Sequence, residues 1–245
     1  MASPAITDLP SNSEAPKAQP RLAPKTLNVG IWKDPLSAAT HLLGFLGAVV
    51  GACVLVVAAA PDRVQVTSVL LYGLSLVLLF LASTLYHFLD LGPRGNEWLR
   101  RFDHGAIFLL IAGTYIPALL HLLEGTWRIV MMSLVVVFAA VGVVFKMVWI
   151  RCPNALSTAI YVVMGWLLLI PGHIILPALS WEMMFWIFGG GVLYTGGAVI
   201  DVVEKPNPWP GYFGHHEVWH LFVLGGAAFH YIFTAKLLAL PYAPF

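Results

Sequence analysis

From residue 35 onward the chain falls into seven long apolar runs, at about 36–59, 65–89, 104–123, 127–149, 155–177, 182–203 and 216–239. Each is close to the roughly 20 residues that a helix needs to cross a bilayer. Alternation over about 10 residues, the mark of a membrane β-strand, is missing from them. Turn and breaker residues sit at the joints: Pro61-Asp62, Gly92-Pro93-Arg94-Gly95, Glu124-Gly125, Cys152-Pro153-Asn154, and Pro206-Asn207-Pro208 with Pro210-Gly211. The pattern predicts an all-α polytopic membrane protein, a seven-transmembrane helix bundle over 35–245. Residues 1–34 follow another rule. Pro4, Pro10, Pro16, Pro20 and Pro24 lie among Ser, Ala and Lys, with no apolar stretch long enough for a signal-peptide core. This segment is expected to be a disordered Pro-rich cytoplasmic tail.

Composition supports lipid as the solvent. Apolar residues make up 59% of the chain and charged residues 10%, against about 45–50% and about 25% in soluble domains. The net charge of +1 without a basic tract gives nucleic-acid binding no electrostatic support. The two cysteines, Cys53 and Cys152, are too few for a disulfide framework and read as small apolar residues. Basic residues set the orientation. The tail (Lys17, Arg21, Lys25, Lys33), the loop after the second run (Arg94, Arg100, Arg101), the flanks of the fourth (Lys146, Arg151) and Lys205 place ten on one side. Arg63, Arg128 and Lys236 place three on the other. The positive-inside rule then puts the N-terminus in the cytoplasm, and seven spans put the C-terminus outside. Small residues such as Gly47 and Gly51, Gly189 to Gly191, Gly196, Gly197, Gly225 and Gly226 permit close helix contact within the bundle, with a homodimer face as the alternative.

Ionisable side chains inside spans are costly and tend to mark a site. The second span ends with Ser83-Thr84-Leu85-Tyr86-His87 near the cytoplasmic side, with Ser83 one turn deeper on the face of His87. The third begins there with Phe102-Asp103-His104, and the last with His215-His216-Glu217-Val218-Trp219-His220. His216 and His220, at i and i+4, point to one side. Three histidines thus converge with a carboxylate and a hydroxyl. His87, His216 and His220 could bind Zn2+, whose catalytic sites usually combine three protein ligands with a water. Asp103 could hold or deprotonate that water, and Ser83 could stabilise a developing oxyanion. His41 could support the ligands, His104 reads as supporting or interfacial, His230 as a hydrogen-bonding residue of the bundle, and His121 and His173 as interfacial.

Three motifs, Ser83-Thr-Leu-Tyr-His87, Phe102-Asp-His-Gly-Ala-Ile-Phe-Leu-Leu-Ile-Ala-Gly-Thr-Tyr-Ile-Pro117, and His216-Glu-Val-Trp-His220 with Ala227-Ala-Phe-His230, resemble the hemolysin III branch of the progestin and adipoQ receptor family. That family includes the adiponectin receptors, and the likeness runs from about 35 to 240. It implies seven helices, a cytoplasmic N-terminus, and zinc on His87, His216 and His220 near the cytoplasmic face. Asp103 matches the acid that contacts the water on the metal, and Ser83 matches a serine of the related alkaline ceramidases. Glu217 stands where adiponectin receptors carry Gln, which favours a bacterial member in the inner membrane. The short tail does not imply a hormone ligand.

Two functions from different classes follow as expectations. One is a ceramidase-like lipid amide or ester hydrolase, with membrane lipid as substrate and Asp103 and Ser83 as catalytic groups around a zinc-activated water. The other is a non-enzymatic receptor or regulator of membrane lipid homeostasis with a structural zinc. A third, weaker match is the metalloprotease pattern H-E-x-x-H at His216–His220, with Glu217 as base. A pore-forming toxin lacks an amphipathic insertion segment.

Overall fold

A computed structural model describes residues 33–240, so the tail expected over 1–34 lies outside the described residues apart from Lys33 and Asp34. The described chain is helical: α1 (Pro35–Ala59), α2 (Arg63–Phe88), α3 (Gly92–Leu122), α4 (Gly125–Val148), α5 (Asn154–Gly165), α6 (Gly172–Ile175), α7 (Trp181–Val203) and α8 (His215–Leu237). Local chemistry sets several starts. Pro35 and Pro93 occupy first-turn positions, where a missing N–H costs nothing. Asp62 caps α2 by accepting from the Val64 and Gln65 amides, and Ser180 caps α7 by accepting from Met183.

Six helices are long and apolar enough to cross a membrane, and α5 with α6 makes up to seven if a bent pair is one span. The chain is an integral membrane protein of the polytopic all-α class. Apolar side chains face outward, as lipid requires: Leu43, Val50 and Val57 on α1 and Val141 and Val148 on α4 are exposed, while Ser37, His41, Ser75, Ser83 and His87 are buried.

Consecutive helices pack together through α1, α2, α3 and α4, α7 packs on α8, and α8 closes the bundle against α1 and α3. One apolar core joins α3, α4, α5 and the chain near Ile175, Met183 and Phe233; a second joins α1, α2, α3 and α8 around Tyr72 and Phe80. Gly51 takes part in this closure. A Cβ there would fall 2.8 Å from the Tyr231 ring, whose hydroxyl donates to the Gly51 carbonyl at 3.2 Å. A Cβ at Gly47 would meet nothing within 4 Å, so only one end of this small-residue pair serves packing within the chain.

Two expected spans differ from the structure. The third begins at Gly92 rather than near 104, because the polar stretch before Asp103 is itself helical. Glu97 and Arg101 pair across one turn at 2.7 Å. The fifth is broken. The direction changes by 45° between Asn154–Leu169 and Gly172–Ala178, where Gly165, Pro171 and Pro177 interrupt an otherwise apolar run. Tyr115 of α3 takes up the polar groups released at the break: its hydroxyl reaches the carbonyls of Met164 and Gly165 at 2.9 and 2.7 Å and accepts from the Leu168 amide at 3.2 Å. Non-helical backbone at membrane depth persists where such partners exist.

Candidate metal centre

The last two turns of α2 carry Ser83 and His87 inward, and the first two turns of α8 carry His216 and His220. The structure brings the expected trio together. One ring nitrogen from each of His87, His216 and His220 lies within 4.8 Å of the others. His87 and His220 are buried and His216 is partly so. The Nε2 atoms of His87 and His216 face each other at 3.3 Å. Among the described residues no carboxylate joins this group, so the donor set that could hold a cation is three imidazoles.

Each of the three rings is held from behind. His87 Nδ1 lies 3.0 Å from Asp34 Oδ2, and His216 Nδ1 lies 3.4 Å from Asp201 Oδ1. An ionised carboxylate only accepts, so both Nδ1 atoms carry a proton, and in the neutral rings the Nε2 atoms are the ones that offer lone pairs. His220 Nδ1 is 3.5 Å from Thr40 Oγ1, and its ring stacks on His41 at 3.7 Å between centroids and 9° between planes. Asp34 sits outside the spans. Burial alone would raise its carboxyl pKa, but the His87 hydrogen bond and the nearby Lys33 charge outweigh that and hold it below the usual value.

Asp103 and Ser83 stand beside the trio rather than in it. Both line a cavity of about 160 Å³ that also touches His41, His216 and His220 and runs on between apolar walls including Leu79, Ile107 and Val223. Asp103 is buried and accepts from His104 Nδ1 at 3.2 Å. Ser83 Oγ lies 2.7 Å from His41 Nδ1, so His41 touches both the hydroxyl and a member of the trio. His230 bonds the Ile187 carbonyl through Nε2 at 3.0 Å, the bundle role expected. His121, in the last turn of α3, is buried, with Nδ1 2.9 Å from the Pro117 carbonyl. His215 turns instead to Asn207 Oδ1 at 3.1 Å.

Glu217 does not face the cavity. Its Oε2 accepts from the Gly214 amide at 2.8 Å, capping α8, and its Oε1 accepts from Ser37 at 2.9 Å. In the H-E-x-x-H string the glutamate is thus a capping residue between two inward histidines. Sequence reasoning missed Asp34, Asp201 and Thr40. The one signal available was position, since the helix order puts Asp34 and Asp201 at the same end of the bundle as the histidines.

Comparison with known proteins bears on the same stretch. A family model described as Haemolysin-III related matches residues 29–231. This chain belongs to that family. It is 36% identical over 200 residues to a hemolysin-3 homolog of Bacillus subtilis (strain 168), covering 81% of this chain and 91% of that protein. It is 34% identical over 194 residues to hemolysin-3 of Bacillus cereus, covering 78% and 85%. More distantly it is 25% identical over 206 residues to the human monocyte to macrophage differentiation factor, covering 81% and 82%. Within this Haemolysin-III-related chain, the matched region begins before α1 and includes Asp34, His87, Asp103, Asp201, His216 and His220.

Proposed function

We propose that this Haemolysin-III-related protein is a zinc-dependent hydrolase of membrane lipids, cleaving an amide or ester bond on the cytoplasmic side of a bacterial inner membrane with its N-terminus in the cytoplasm. The observation that carries the reading is one cluster: three imidazoles, of which His216 and His220 line a cavity with largely apolar walls that also holds the Asp103 carboxylate and the Ser83 hydroxyl. The donor set fits a divalent cation of zinc's class. Two nitrogens at 2.0–2.1 Å from one tetrahedral ion lie about 3.3–3.4 Å apart, and the His87 and His216 Nε2 atoms are 3.3 Å apart.

His87, His216 and His220 would hold the ion. When bound, it would supply Lewis acidity that polarises a carbonyl and makes water a nucleophile source near neutral pH. The chain's own groups do the rest. The Asp103 carboxylate, held by His104, takes the proton of the attacking water and returns it to the leaving amine or alkoxide. Ser83, held by His41, donates a hydrogen bond to the oxygen on which charge develops. The apolar walls hold the acyl chain and keep bulk water from the reacting bond. Three protein donors support this reading over a structural zinc, which normally has four.

The test is fatty-acid release by purified protein from short-chain ceramide and from acyl-ester lipids. His87→Ala and Asp103→Ala are each expected to lower the rate at least about 100-fold. Release unchanged in both variants, or no release by wild type from any lipid, contradicts the proposal; the latter with zinc retained supports the regulator.

A further inference from the structure

Asp34 and Asp201 reach the trio from elements that carry none of its ligands. Asp34 lies in the chain before α1 and Asp201 in the last turn of α7. Both engage Nδ1, the nitrogen turned away from the shared space. Asp34 is anchored to the helix end it serves: its amide donates to the His87 carbonyl at 2.9 Å, and the Lys33 ammonium donates to the Tyr86 carbonyl at 2.9 Å while lying 3.5 Å over the Tyr86 ring. Asp201 is anchored by its second oxygen, which accepts from Asn154 at 2.8 Å at the start of α5.

From this geometry we infer that Asp34 and Asp201 are positioning residues of the metal centre, and that the Lys33–Asp34 segment is a latch through which the chain outside the membrane holds the ion. The inference rests on the metal reading above. Two physical effects carry it. A carboxylate on Nδ1 fixes the tautomer and ring orientation, leaving Nε2 as the ligand atom, and raises its basicity. Two carboxylates also bring a formal charge of −2 beside neutral imidazoles, which balances a divalent cation in a partly buried site where an uncompensated charge is costly. His220 lacks such a carboxylate and has a hydroxyl, so the support is unequal: His87 and His216 are the well-held ligands.

The inference orders the variants. Asp34→Asn and Asp201→Asn keep size and remove the charged acceptor. Lys33→Met keeps the stem and removes only the latch contacts, so its effect is smaller. Asp90→Asn is the control, because Asp90 is an exposed acid bonded to Asn96 and the Gly92 amide.

The full-length protein in detergent is loaded with zinc, and transfer of the metal to a coloured chelator is followed alongside thermal unfolding with and without metal. Asp34→Asn and Asp201→Asn are expected to weaken zinc retention by about 10–100-fold, while their metal-free melting temperatures stay with wild type. Lys33→Met falls between them and wild type, and Asp90→Asn matches wild type. Wild-type retention in both aspartate variants overturns the inference. So does an equal drop in the metal-free and metal-loaded melting temperatures, which marks a merely structural role. A wild-type protein that takes up no zinc removes the metal reading itself, and that failure shows in the wild type before any variant is compared.

Discussion

At the residue scale, the contact between Ser83 and His41 has the most specific consequence. The hydroxyl lies 2.7 Å from Nδ1 of a buried ring that stacks on His220 and meets Phe80 edge-on. Ser83→Ala is expected to lower fatty-acid release on the order of 100-fold, the loss typical of one oxyanion donor, with zinc content unchanged. His41→Phe keeps the ring packing and removes the nitrogen, so it is expected to lower release by a smaller factor. Loss of metal in Ser83→Ala would move Ser83 from oxyanion stabilisation to support of the ligands. The sequence made Ser83, His87, Asp103, His216 and His220 legible because helical spacing alone puts each on an inward face at one depth. Asp34 and Asp201 were not legible. Asp34 sits 53 positions from His87 and Asp201 sits 15 from His216, and an acid at a helix end reads as solvated until the packing brings a partner to it.

At the element scale, the broken α5 is the departure that matters. A run of apolar residues looks the same whether it is straight or bent, and the breakers Gly165 and Pro171 acquire meaning only once Tyr115 is found across the gap. That one hydroxyl contacts two carbonyls and one amide. Tyr115→Phe leaves these groups without it and is expected to destabilise the protein by about 1–3 kcal/mol, read as a lower melting temperature in detergent. The same position lines the cavity shared with His230 and Trp166, so the variant is also expected to change the preferred acyl-chain length. An unchanged melting temperature would mean that other groups or water satisfy the break. The early start of α3 was hidden for a related reason. Its first turns are polar, and the 3.6-residue period that betrays them comes from a charge pair rather than from an apolar face.

At the scale of the molecule, the bundle turns apolar side chains outward and brings polar ones from α1, α2, α3, α7 and α8 into a single cluster at one end. Membrane class and helix order followed from hydropathy, since the solvent dictates both. Convergence of the ends did not follow from hydropathy; it came from asking which polar residues share a depth. The central claim is that His87, His216 and His220 share one cation, and zinc-edge X-ray absorption of the purified wild-type protein tests it most directly. The expected result is about one zinc per chain with nitrogen and oxygen neighbours at about 2.0–2.1 Å and scattering from three imidazoles, falling to two with weakened binding in His216→Ala. Folded wild-type protein that binds no stoichiometric metal, or zinc held without imidazole scattering, would contradict it.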